Sequence, residues 1–172
     1  VPNASLYAAY TALRDAGRAF DLKLFGARAV ESMRLEKGFL HWKADILTEF
    51  DPFETGLERF VSFKKEGFIG RDALKKRQAA GPQKSRVTLK IDTDTAAAHA
   101  GASLMSKDQV VGTITSGDWG HRVGFNLAYA FMDPSCSAIG TRCTLDLCGD
   151  LVLAQVIAAS PYDPAHKIMR GR

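Results

Sequence analysis

The stretch MRLEKGFLHWKADI, Met33 to Ile46, sets an arginine, two carboxylates, two lysines, a histidine and a tryptophan among Met, Leu, Phe and Ile. Its apolar residues keep no single period and its charges no single face, so neither a core helix nor a solvated surface accounts for it. Side chains that can stack, accept hydrogen bonds and meet anions stand together, as in the wall of a binding site. On a helix, Val30 and Arg34 share a face because they lie four apart, whereas Arg34 and Glu36 point to different surroundings.

Other chemically capable residues carry weaker signals. Glu54 follows Pro52 in DPFETGL and fits a cap on a helix N-terminus. GFIGRDAL lacks the Lys-Ser/Thr ending of a phosphate loop, so its glycines read as turns. Asp118 and His121 in TSGDWGHRVG could form an acid/base pair, but a Gly-rich hairpin loop explains the same residues better. His41, His99 and His166 have no partner at helical spacing, and Cys136, Cys143 and Cys148 contain no C-x-x-C pair. Metal binding and a disulfide framework are therefore not expected, and the thiols fit a reduced, cytoplasmic protein.

Elements must position these residues. NASLYAAYTALRDAG reads as an amphipathic helix with Asn3 or Ser5 as N-cap and Gly17 as its stop. ARAVESMRLEKG is a second helix closed by Gly38, and GRDALKKRQ a short basic third. FDLKLFG and RFVSF show strand-like alternation, and AAGPQKS is the best linker. Beyond it, RVTLKID, QVVGTITS, RVGFNLAYAF, RCTLDLC and LVLAQVIAA alternate as short strands, separated by MSKD, GDWGH, DPSCSAIG and CGD. That pattern suggests a small antiparallel barrel or sandwich.

The chain has 172 residues, 46% hydrophobic and 24% charged, with a net charge of +4. Disorder is excluded by that balance, and no apolar run reaches the roughly 20 residues of a membrane span. The basic residues are scattered, so a nucleic-acid stripe is not expected, while an acidic small molecule is compatible. VPNASLYAAY has neither a signal-peptide pattern nor an initiating Met, and residues are expected before Val1.

Three ordered motifs carry a family resemblance: Arg34 to Trp42 (RLEKGFLHW), Pro52 to Leu57 (PFETGL) and Phe68 to Leu74 (FIGRDAL). Together with VVGTITSGDWGHRVGFNLAYAF they resemble the folate-binding glycine-cleavage T-protein family. The branch most similar is the one fused to flavin enzymes, the dimethylglycine and sarcosine dehydrogenases. Aminomethyltransferases proper carry an Arg where this chain has Val30, whereas the dehydrogenase branch has an apolar residue there and an Arg matching Arg28. The related folate protein that supports iron–sulfur enzymes has a Cys within the segment matching KGFLHWKAD, and this chain has none.

The resemblance implies an α+β fold: residues 1–80 as the C-terminal part of the folate-binding T-domain, then a small antiparallel Greek-key β-barrel over 86–172. It implies tetrahydrofolate as cofactor, with FAD belonging to a domain upstream of Val1, and transfer of a methylene unit from a small amine to folate. The chain would supply part of the pocket and be inactive alone, with an oligomer or partner subunit left open. The residues implied for folate are Arg28, Arg34, Glu36, Phe39, Trp42, Trp119 and Tyr162. Phe39 and Trp42 would stack, Glu36 and Asp45 would accept hydrogen bonds, and Lys37 and Lys43 would meet the tail. The alternative is that Arg34 and Glu36 join helix to barrel, and at this level the two are even. A non-catalytic assembly module is the rival for the whole chain.

Overall fold

The alternating segments of the second half close on themselves. In a computed structural model describing residues 1–171, six antiparallel strands form a closed barrel. They are β1 (Ser85–Ile91), β2 (Ser103–Ser106), β3 (Gln109–Gly120), β4 (Phe125–Met132), β5 (Arg142–Leu147) and β6 (Asp150–Ile157), in the order β1-β4-β3-β2-β5-β6. β2, β3 and β4 follow one another as hairpins while β1 lies beside β4, which is a Greek key. Closure leaves no open sheet edge.

Period-2 alternation fills the interior. Val87, Leu89 and Ile91 of β1 meet Ala128, Ala130 and Met132 of β4 and Cys143, Leu145 and Leu147 of β5 in one buried cluster. β4 is buried on its outer face as well. There Leu127 and Tyr129 pack against Leu35, which belongs to a helix outside the barrel.

Four helices precede the barrel: α1 (Leu6–Gly17), α2 (Ala27–Lys37), α3 (Pro52–Thr55) and α4 (Arg71–Ala80). α2 ends at Gly38, whose φ of 74° supplies the left-handed cap. α3 starts with a capping box in which Asp51 accepts from the amides of Phe53 and Glu54 while Glu54 accepts from Asp51 N. Glu54 thus caps as expected, and its other oxygen also accepts the amides of Gln83 and Lys84, tying α3 to the entry of β1.

Several local expectations fail. FDLKLFG forms no strand, and RFVSF holds only a 3-10 turn at Glu58–Phe60, because neither segment lies against a strand partner. Neither Asn3 nor Ser5 caps α1 through its side chain. β2 was hidden because it is only four residues long and shares its end with the turn MSKD. The expected Gly-rich loop TSGDWGHRVG is mostly strand: β3 continues to Gly120 and only residues 121–124 turn. Gly117 within it, like Gly112 earlier in β3, serves close approach instead. A Cβ on Gly117 would lie 2.4 Å from Ala98 O, and one on Gly112 2.7 Å from Phe131 O. α1 is helical as expected, but its apolar residues Leu6, Tyr10 and Leu13 are exposed, so within the described residues its stripe covers no core.

Candidate functional site

The last turns of α2 are buried on every side. Ser32, Arg34, Leu35, Glu36 and Lys37 are consecutive or nearly so, and at 3.6 residues per turn they face all around the helix. A buried polar residue needs a partner, and each finds it on a different element. Ser32 Oγ donates to Trp119 O on β3 at 2.6 Å. Glu36 Oε1 accepts the amides of Arg122 (2.5 Å) and Val123 (3.2 Å) in the β3–β4 turn. Lys37 Nζ donates to Asp163 O at 2.7 Å and Oδ2 at 3.2 Å in the C-terminal segment. Leu35 alone is apolar, and it meets the barrel. α2 is therefore a hub joined to four parts of the chain.

Arg34 makes the densest of these connections. Its Nε and Nη2 donate to Glu31 Oε2 at 2.8 and 2.5 Å, and its Nη1 donates to Asp45 Oδ2 at 2.6 Å. Burial alone would lower its pKa, but the Glu31 hydrogen bonds and the charges of Asp45 and Glu31 outweigh burial and raise it. Asp45 is 0% exposed. It also accepts His41 N at 2.9 Å, Thr115 Oγ1 at 2.6 Å and Ser116 Oγ. Neighbouring strand residues normally face opposite ways, but the pairing of β3 with β4 slips between Ile114 and Ser116. This bulge turns both hydroxyls onto one carboxylate.

Beneath Arg34 lies Tyr129, whose ring has Arg34 5.6 Å and Arg86 5.5 Å from its centroid. Its hydroxyl donates to Arg34 O and Leu35 O at the end of α2. Burial raises its pKa well above the ordinary tyrosine value, despite the two cations.

The expected residues separate into groups. Arg34, Phe39 and Tyr162 line one groove of about 340 Å³ with Val30, Met33, Lys37, Arg122, Asp163, Ile168 and Met169. Tyr162 is held there by its own amide, which donates to Glu36 O at 3.0 Å, and by cations over its ring: Arg122 at 4.9 Å and Lys37 at 5.9 Å. Phe39 stacks on His166 with centroids 6.2 Å apart. Glu36 stands behind this groove rather than in its lining, and its Oε2 is buried without a partner. Arg28 is 80% exposed and donates to Asp118 Oδ1 at 2.8 Å on the far side of α2. Trp119, next to it, contributes its backbone to Ser32. Trp42 is 64% exposed and lines neither this groove nor the cavity beside Arg28.

Of the residues expected to meet a tail, Lys37 is taken by Asp163 and Lys43 is exposed with φ 67°. Asp118 pairs with Arg28, not with His121. The three cysteines are free; Cys143, in the barrel interior, has its thiol pushed up to about 11 by burial. Among the described residues no group of His, Cys, Asp or Glu is arranged to hold a metal, and no helix is long and apolar enough to cross a membrane. Sequence reasoning missed Glu31, Arg86, Arg122 and Tyr129. Tyr129 left a trace, as the one residue with a hydroxyl amid the apolar run FNLAYAF; the others look like ordinary surface charge.

Fold and site together define a closed Greek-key barrel clasped by a helix whose buried polar side chains reach every neighbouring element. Residues 1–65 match the family described as the GCVT N-terminal domain, and residues 84–163 the glycine cleavage T-protein C-terminal barrel domain. This chain belongs to the glycine-cleavage T-protein family. It is 32% identical over 179 residues to mitochondrial sarcosine dehydrogenase of Mus musculus, covering 99% of this chain and 19% of that protein. It is 33% identical over 151 residues to mitochondrial dimethylglycine dehydrogenase of Homo sapiens, covering 87% and 17%. The glycine cleavage system aminomethyltransferase T of Bartonella henselae superposes with a TM-score of 0.73 at 27% identity, over 79% of this chain and 38% of that one. The chain thus spans under a fifth of the two dehydrogenases it resembles.

Proposed function

We propose that this chain is the C-terminal part of a tetrahydrofolate-dependent one-carbon transfer enzyme, of the aminomethyltransferase or dimethylglycine/sarcosine dehydrogenase kind. Residues 1–80 would complete its folate-binding domain and residues 86–172 form its barrel domain. The observation that carries this reading is the groove at the end of α2. Phe39, Tyr162, Met33 and Val30 give it faces for a flat ring system, and Arg122 lies over Tyr162 with no carboxylate partner among the described residues. A heteroaromatic ligand with an anionic tail suits that combination.

Bound tetrahydrofolate supplies the amine that captures a methylene unit at the iminium or formaldehyde level. The residues of this chain orient it. Phe39 and Tyr162 offer stacking surfaces, Arg122 meets a tail carboxylate, and Glu36 fixes Arg122 by holding its amide. Arg28, Trp119 and Trp42 lie outside the groove, and no contact with its ligand is assigned to them. Asp45 is committed to donors of the protein and is not free to act as a base, and Glu36 gives Oε1 to two backbone amides while its Oε2 is shut away from the groove lining. The chain alone is accordingly expected to be inactive. FAD, if the complete protein carries it, would oxidise the amine elsewhere. The free thiols favour a reducing compartment such as the cytoplasm.

The test is a calorimetric titration of the complete protein with tetrahydrofolate. Arg122→Ala and Tyr162→Ala are each expected to weaken binding by about tenfold, the value of one charge-assisted or stacking contact. Wild-type affinity in both variants would remove the groove from the site. The exposed apolar stripe of α1 favours a second reading, a T-like module kept for assembly with a partner or a second copy. A complete protein that binds no tetrahydrofolate at all would leave that reading standing.

A further inference from the structure

Lys37 and Phe39 also line a second cavity, of about 550 Å³, where Arg59, Arg86 and His166 converge and no Asp or Glu contributes to the wall. Lys37 is neutralised there by Asp163. Arg86 is not neutralised. Its Nε donates to Thr55 O at 2.9 Å, which satisfies the end of α3, but its Nη1 is buried without any acceptor. A helix C-terminus attracts a cation, and that need is met by Nε alone. Nη2 has no protein acceptor either but is not closed off, so it is the guanidinium donor open to a ligand, and such donors are almost always paired. Burial lowers the pKa of Arg86 despite the attraction of Tyr129, Asp45 and Glu58. Gly56, with φ 73°, places no side chain over Nη2, which an added Cβ would approach to 3.5 Å.

We infer that this cavity is an oxyanion site, taking the carboxylate or phosphate group of a small molecule. Arg86 supplies Nη2, the donor left open beside Gly56, and Arg59 a second cation, while Leu40, Ile46 and Leu57 accommodate an apolar remainder. The inference does not rest on folate binding, and it assigns a role to residues that the folate groove does not use.

Calorimetric titrations of the complete protein with inorganic phosphate and with succinate, in a phosphate-free amine buffer, test it. Saturable binding of at least one probe is expected, weakened about tenfold by Arg86→Lys, which keeps the charge but loses the Nη2 donor, and by Arg59→Ala. Which probe binds separates a phosphate ligand from a carboxylate one. Arg59 is exposed and lies 4.8 Å from the centroid of the Phe60 ring, so Arg59→Ala leaves the fold in place even where Arg86→Lys disturbs it. Absence of saturable binding by either probe overturns the inference, as does binding that Arg59→Ala leaves unchanged. Tetrahydrofolate affinity measured on the same Arg59→Ala protein should equal wild type. Loss of folate binding in the wild type, with anion binding intact, would sink the folate assignment alone.

Discussion

Arg34 and Asp45 form a buried ion pair, Nη1 to Oδ2 at 2.6 Å, that joins the last turn of α2 to the loop before α3 and, through Thr115 and Ser116, to the bulge of β3. Two charges out of water are retained only when their remaining donors and acceptors are met. Here they are: Glu31 takes the rest of the guanidinium fork, and the His41 amide and two hydroxyls take the rest of the carboxylate.

Removing one partner strands the other. Asp45→Ala should cost about 3–5 kcal/mol, measured by urea unfolding, because a desolvated guanidinium loses one of its two counter-charges while the His41 amide and two hydroxyls lose their acceptor. Replacing both, as Arg34→Met with Asp45→Leu, should cost clearly less than the sum of the single changes. Additive losses would show that the two residues act separately.

Tyr129 sets the alkaline limit of the fold. Its pKa in the folded chain is raised above the ordinary 10.0 by burial, so its neutral form stabilises the native state fully below that value. This contribution declines as pH climbs from there towards the folded pKa. Tyr129→Phe should cost about 1 kcal/mol at neutral pH, for the hydroxyl that reaches the α2 carbonyls. Between about pH 10 and 11 its stability should fall less steeply than wild type. Parallel pH curves would dissociate Tyr129 from the alkaline transition.

The barrel was largely legible in the sequence, and the hub was not. Alternation marks β1, β4, β5 and β6 because each turns one face to a dry interior; Gly38 marks a helix end because its left-handed φ closes α2, and Gly17 because a Cβ there would lie 2.7 Å from Leu22 Cβ. The failures share a cause. In β3, Gly117 looked like part of a loop because its use is close backbone approach, a property of the neighbouring chain at Ala98. The mixed composition of Met33 to Ile46 signalled an unusual environment correctly, but which carboxylate meets which cation depends on a bulge and on segments more than a hundred residues away. The separation of Arg34 from Glu36 was readable from their spacing; the identity of their partners was not.

Gly38 offers a sharp test of the α2 cap. Its φ of 74° disfavours any side chain, and a Cβ there would lie 2.6 Å from Ala159 O, a backbone atom that cannot easily withdraw. Gly38→Ala should therefore lose more than about 2 kcal/mol, conformational strain and clash together. Gly26, which precedes the same helix at φ −88° with nothing within 4 Å of an added Cβ, should accept Ala with little change. Equal effects at the two sites in thermal melts would mean that the C-terminal segment is not docked against α2.

Glu36 separates support from ligand binding. Its Oε1 accepts two backbone amides, so Glu36→Ala leaves both without a partner and should destabilise the fold by about 3 kcal/mol, while Glu36→Gln keeps one acceptor oxygen and should lose about 1 kcal/mol. Glu36→Gln also keeps Arg122 over Tyr162, since the amide of Arg122 remains held. If Glu36 acts by positioning that turn, tetrahydrofolate affinity in the complete protein should survive Glu36→Gln and fall with Glu36→Ala. If its unpartnered Oε2 meets the ligand directly, affinity should already fall with Glu36→Gln while stability hardly changes. The absence of Glu36 from the groove lining favours the first outcome, and urea unfolding and folate titration on the same two variants distinguish them.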